Sequence, residues 1–170
     1  MDAVAIEIER KFRVLDDGWR AGVVKSVRIA QGYINDMDTL RAGRQNASVR
    51  VRIAGDQAYL NLKSRELGRS RQEFDYAIPV MDAQALLALC VGGLIDKVRH
   101  YIPQDDLTWE VDEFAGDNAG LVVAELELPT VDKVFARPAW LGREVTEEQR
   151  FYNLALAERP YSRWSALEQT

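Results

Sequence analysis

Glu7, Glu9 and Lys11 fall at every second position near the N-terminus, with Ile6, Ile8 and Phe12 on the alternate positions. Side chains alternate between the two faces of a strand. Read as a strand, Ala5–Phe12 therefore carries an apolar face and, behind it, two carboxylates and an ammonium in a row. Like charges so placed repel unless positive charge lies between them. Lys11 is one cation against two anions, and a divalent metal ion is the obvious complement. Glu125 and Glu127 repeat the spacing, with Ala124, Leu126 and Leu128 interleaved. Cations use it too, in Arg50 and Arg52 and again in Lys97 and Arg99.

These residues need strands to position them, and the chain supplies a run of such segments. The pattern predicts strands over about 4–14, 25–34, 48–53, 58–63, 71–80, 95–102, 107–114 and 121–128, with Gly55-Asp56 as a hairpin turn. Val27, Ile29, Gln31 and Tyr33 share one face of the second. The run after Asp82 reads as a helix to Cys90, closed by Gly92-Gly93. Thr130–Ala136 reads as a short helix. Thr146–Gln149 has the form of a capping box opening a last helix to about Glu158. The order predicts an α+β, mainly β chain: an eight-stranded antiparallel closed β-barrel, a tunnel with a charged lumen and a few covering helices. Residues 1–170 read as a single domain.

The polar faces taken together give Glu7, Glu9 and Lys11; Arg50 and Arg52; Asn61 and Lys63; Arg71, Glu73 and Asp75; Lys97 and Arg99; Glu110 and Asp112; Glu125 and Glu127. One such strand would be an ordinary solvated face. Strand after strand, sorted by sign, favours a charged interior with apolar outer walls. Six basic residues, Lys11, Arg50, Arg52, Lys63, Lys97 and Arg99, suit a polyanion with several phosphates. Four glutamates in two pairs suit a hard cation, Mg²⁺ or Mn²⁺. Together they are the parts for phosphoryl transfer, and a triphosphate matches in size. His100 falls on the opposite face, as a wall residue.

The whole-chain figures exclude other classes. A net charge of −5 gives no general attraction to nucleic acid or to an anionic membrane. A single cysteine, Cys90, rules out a disulfide framework. With no signal peptide and no apolar run of membrane-spanning length, the expected location is cytoplasmic. The expected partner is a small-molecule triphosphate, with no nucleic acid and no membrane, on a monomer or homodimer.

Glu7-Ile8-Glu9-Arg10-Lys11 resembles the Glu-x-Glu-x-Lys signature of the CYTH superfamily, the triphosphate tunnel metalloenzymes. Gln31-Gly32-Tyr33, Arg50-Val51-Arg52, Leu62-Lys63-Ser64, Arg71–Phe74, Lys97-Val98-Arg99, Val111–Phe114, Ala124–Glu127, Trp140–Thr146 and Arg150–Asn153 resemble further family blocks in family order. The resemblance implies Glu7, Glu9, Glu125 and Glu127 as metal ligands. It implies Lys11, Arg50, Arg52, Lys63, Lys97 and Arg99 as phosphate ligands, with Arg71, Glu73 and Asp112 lining the site and Arg71 grouped with the substrate-binding cations. It points to short bacterial-type members, many of which prefer inorganic triphosphate. The leading expectation is hydrolysis of inorganic triphosphate, with Lys97 and Tyr33 orienting the terminal phosphate or the attacking water. The alternatives are a class IV-type adenylate cyclase, a thiamine or nucleoside triphosphatase, and a module that binds polyphosphate without cleaving it.

Overall fold

The computed structural model describes residues 8–64 and 72–170. Nine strands form one antiparallel sheet: β1 (Ile8–Val14), β2 (Lys25–Tyr33), β3 (Ala47–Ala54), β4 (Gln57–Ser64), β5 (Glu73–Ile78), β6 (Val91–Gln104), β7 (Leu107–Phe114), β8 (Val122–Leu128) and β9 (Leu141–Glu144). Their order is β5-β4-β3-β2-β6-β7-β8-β1-β9. Three short helices accompany them: α1 (Met37–Arg41), α2 (Val80–Leu87) and α3 (Asn153–Glu158). No helix among the described residues is long and apolar enough to cross a membrane.

The expected eight-stranded closed barrel is not what forms. β1 gives one edge to β8 and, at Phe12 and Val14, the other to β9, which places β9 rather than β5 beside it. Among the described residues no ladder joins β5 to β9, and the sheet stays open. Leu141–Glu144 is too short to show an alternation, so the ninth strand has no sequence signal. The sheet is nonetheless strongly curled. Tyr33 on β2 lies in the field of Lys11 on β1, although β6, β7 and β8 stand between them in the sheet. The result is a trough whose inner face carries the alternating polar residues.

The β3–β4 hairpin turns at Gly55 and Asp56, with Gly55 at φ +62°, a left-handed value that glycine takes without penalty. β6 runs through Pro103, beyond the expected turn at 103–106. Pro103 stands past the start of β2, where no neighbour needs its missing N–H.

Three apolar clusters fix the trough. Under α2, Val51, Ala58 and Ala83 bury the outer face of β3 and β4. Phe12, Trp109, Val111, Ala124 and Leu126 cover the outer face of β1, β7 and β8, capped by Trp19 and Leu141. At one end of the inner face Tyr33, Ile95, Phe114 and Val123 meet Phe151, Leu156, Ala157 and Trp164 from the C-terminal segment. That segment plugs one end of the trough. Close fit is visible at Gly92, where φ is +72° and a Cβ would stand 3.0 Å from the Ala157 carbonyl oxygen.

Three helix expectations change. α2 begins at Val80 and ends at Leu87, so Asp82 sits in its first turn rather than at its cap, and Gly92-Gly93 belong to β6. Residues 130–136 form no helix; Pro129 and Pro138 flank them, and Phe135 turns in against Phe12 and Trp109 at 6.2 and 5.7 Å. The last helix shrinks to a 3-10 turn, Gln149–Phe151, and α3. Thr146 does not cap it: its Oγ1 accepts from the Lys11 backbone N–H at 3.0 Å and donates to Glu144 at 2.7 Å. The capping residue is spent on holding the last segment to β1.

Candidate active site

The inner face gathers residues from eight strands. Register places Glu9 opposite Glu127, and Lys11 opposite Glu125. Glu125 in turn stands opposite Glu110, and Arg99 opposite Asp112. On the other wall Tyr33 pairs with Arg50, Gln31 with Arg52, Arg50 with Asn61, and Lys63 with Glu73. Lys11, Gln31, Asn61, Lys97, Arg99, Asp112 and Glu125 are all buried, although polar or charged. Burial of that kind is costly unless each group is paired, so the pairing defines the site.

Arg99 is the hub. Its guanidinium donates to both oxygens of Asp112 at 2.7 Å, to Glu125 at 2.6 Å, and to Glu110. Burial opposes its charge, but Asp112, Glu125 and Glu110 outweigh it and hold the guanidinium firmly protonated. Lys11 is wedged between Glu125 and Glu9, with its ammonium 4.6 Å from the centre of the Tyr152 ring. Its pKa rises because those carboxylates outweigh its burial. Burial alone would raise Glu125; Lys11, Arg99 and Lys97 reverse this and hold it well below the usual carboxylate range. Glu110, with less compensation, is pushed up by burial.

Lys97 is fully enclosed. It donates to Asp112 and, at 3.4 Å, to Asn153 at the start of α3. Burial pushes its ammonium down to about 8, with Asp112 pulling the other way and Arg99 repelling it. Tyr33 is also buried, which raises its phenol; its hydroxyl lies 3.5 Å from Gln31 Nε2, and no bond joins it to Lys97 among the described residues.

Arg50 and Arg52 differ from the other cations of the trough. Lys11, Lys97 and Arg99 each hold a carboxylate, and Lys63 holds Glu73 at 3.1 Å. Among the described residues Arg50 and Arg52 have no ion pair; Arg52 donates from Nε to the neutral amide of Gln31 at 3.0 Å, and Arg50 Nε is buried with no partner. Burial pushes the Arg52 guanidinium down to about 10, helped by repulsion from Arg50 and Arg99. Asn61 meanwhile donates to Glu73 and Asp75, both at 2.6 Å, drawing the nearby carboxylates aside.

The expected metal ligands divide. Glu9 and Glu127 face each other across β1 and β8, and both are exposed. Glu127 and Glu110 line a cleft of about 340 Å³ with Asp106, Leu107, Thr108, Leu128 and Pro129. Glu125 is committed to Lys11 and Arg99. Among the described residues no three acidic, histidine or cysteine side chains come together as a metal cage. Glu7 and Arg71 lie outside the described residues. Glu73 and Asp112 do face inward. His100 stands on the outer wall, its ring 4.8 Å from that of Trp19 and its Nδ1 2.7 Å from Ser26 Oγ.

Sequence reasoning gave no role to Glu110, Gln31, Tyr152 or Asn153. Parity puts Glu110 on the polar face with Asp112, and Gln31 on the face of Tyr33, without saying what either does. Tyr152 and Asn153 come from the plug, where no periodicity points inward.

A CYTH domain model matches residues 5–160, and the chain belongs to the CYTH family. It is 45% identical over 157 residues to an inorganic triphosphatase of Acetivibrio thermocellus, covering 91% of this chain and 95% of that protein. It is 36% identical over 155 residues to an inorganic triphosphatase of Nitrosomonas europaea, covering 89% and 96%. Among solved structures, the crystal structure of an inorganic triphosphatase superposes with a TM-score of 0.68 at 31% identity, covering 90% of this chain and 95% of that one.

Proposed function

We propose that the chain is a triphosphatase that hydrolyses inorganic triphosphate to pyrophosphate and phosphate. The observation that carries this is the half-buried Arg50–Arg52 couple, which has no carboxylate partner among the described residues, on a face where carboxylates compensate the other cations. A phosphate oxyanion supplies what the couple lacks, and guanidinium forks bind it bidentately. The named activity of the two relatives above supports the same reading.

In this reading Arg50 and Arg52 grip the chain of phosphates, with Lys11, Lys63, Lys97 and Arg99 along the trough and Arg71 as a further ligand. Lys97, held near 8, is the group able to exchange a proton at neutral pH. With Tyr33 it orients the terminal phosphate or the attacking water. Asp112 fixes Lys97 and Arg99 together, and Glu73 steadies Lys63.

The donor chemistry of Glu7, Glu9, Glu125 and Glu127 is all carboxylate oxygen, which fits Mg²⁺ or Mn²⁺ rather than a softer ion. Such an ion, when bound, neutralises charge that develops on the phosphate oxygens. We place it toward the exposed Glu9–Glu127 end, since Glu125 already serves Lys11 and Arg99.

The test is phosphate release from tripolyphosphate, ATP and thiamine triphosphate, each with Mg²⁺, Mn²⁺ or EDTA. Tripolyphosphate is expected to be the best substrate, with release abolished by EDTA. Cyclic AMP from ATP, or tight tripolyphosphate binding with no release under any ion, overturns the proposal.

A further inference from the structure

Three guanidinium groups outside the catalytic set converge on one ring. The Cζ atoms of Arg13, Arg143 and Arg150 lie 5.6, 5.8 and 5.1 Å from the centroid of Phe151. They come from separate parts of the chain: β1, β9 and the 3-10 turn at 149–151. Arg13 stands two residues beyond Lys11 on the same face of β1, away from Glu9 and toward the plug. Phe151 is fully buried and packs on Trp164 at 5.1 Å, so the ring is a fixed floor.

The charge count does not close. Glu148 is the carboxylate that meets this group; it pairs with Arg143 and accepts from Arg150 at 2.7 and 3.1 Å. Arg13 has no ion pair among the described residues; one nitrogen donates to the Gln169 carbonyl at 3.0 Å, and Nη1 is buried with no partner. Among the described residues, three cations against one anion is a surplus in a chain of net charge −5. Elsewhere on the surface Arg10, Arg20, Arg28 and Arg159 each hold a carboxylate in two-point contact or through two carboxylates. An unmet guanidinium N–H beside like charges is a standing cost that an oxyanion relieves. The side chains of Arg143 and Arg150 are 43% and 29% exposed, so solvent reaches these two, with the Arg13 Nη1 atom buried behind them.

We propose that Arg13, Arg143 and Arg150 form a second anion site for a multiply charged oxyanion such as inorganic pyrophosphate, separate from the trough and rimmed by Glu148. Pyrophosphate has the span to touch more than one guanidinium at once, which a single chloride does not. Glu148 sets the specificity: a weakly charged anion does not displace it from Arg143, and a multiply charged one does. The site stands whether or not the trough cleaves triphosphate.

The experiment is calorimetric titration of the full chain with pyrophosphate in EDTA. The wild-type chain is expected to show two binding events. Arg50→Ala/Arg52→Ala should lose the one in the trough and keep the other. Adding Arg143→Ala should weaken the remaining event about tenfold or more, the scale of one charge-assisted hydrogen bond. Arg143→Lys should retain most of it. Arg143 is surface-accessible, so its variants fold, and Arg143→Ala alone should leave tripolyphosphate hydrolysis unchanged. No event surviving in Arg50→Ala/Arg52→Ala, or a surviving event indifferent to Arg143, overturns the proposal. Loss of hydrolysis in the Arg50/Arg52 variant reports on the trough alone.

Discussion

Replacing Lys97 by Met separates activity from stability in a way the structure quantifies. The ammonium is shifted from its ordinary 10.5 to about 8, chiefly by burial. A shift of that size corresponds to roughly 3 kcal/mol of cost for carrying the proton in the folded state. Between those two values the unfolded chain binds more proton than the folded one, so stability rises with pH across that window. Below about 8 both states are protonated and the full cost is present. Lys97→Met removes the titration. Removing one partner of a buried pair usually costs about 3–5 kcal/mol. Here Asp112 keeps both 2.7 Å bonds from Arg99 and is not left bare. The variant should therefore melt within a few degrees of the wild type at pH 7.5. From pH 7.5 to 9.5 the wild type should gain on the variant by about 2 kcal/mol, roughly 4–8 °C in Tm for a chain of this size. Phosphate release from tripolyphosphate should fall by about a hundredfold or more in kcat. A stability difference that stays flat with pH refutes the burial reasoning. A change in KM with kcat intact refutes a role for Lys97 in the chemical step.

Arg52→Ala should raise KM for tripolyphosphate roughly ten- to a hundredfold, the range for a lost charge-assisted bond. It should not lower Tm, because a half-buried cation repelled by Arg50 and Arg99 is removed. Phe151→Ala should cost about 3–5 kcal/mol and lower Tm by about 10 °C or more, since the ring is wholly buried in the plug. Thr146→Val should cost about 1 kcal/mol by breaking the tie to the Lys11 backbone, read as a Tm shift of roughly 2–4 °C.

The alternation in Val49–Ile53 and in Ala124–Leu128 was enough to assign an inner and an outer face, because a strand has a period of two and the outer positions are apolar. The inward placement of Lys11, Arg52, Lys97, Arg99 and Asp112 followed from that parity. What each inner cation touches did not. Lys97 and Arg99 share Asp112, whereas Arg50 and Arg52 have no such partner among the described residues, and that difference depends on which strand lies beside which. β9 escaped notice because four residues carry no period. Thr146–Gln149 misled because a capping pattern is local, and Thr146 found a better use across the fold on β1. Closure failed for the same reason: strand count and turn lengths do not say which strand claims the second edge of β1.

The open seam between β5 and β9 has a mechanical consequence. In a sealed cylinder the bore is fixed by ladders all the way round, and widening it breaks backbone bonds. Here, among the described residues, the gap between β5 and β9 is crossed by no ladder, so the bore is held at that seam by weaker, adjustable forces. The wall bearing Arg50 and Arg52 belongs to the flap on the β5 side, and the wall bearing Lys11 and Glu125 to the other. An anion gripped by both flaps would draw them together, and its departure would let them relax apart.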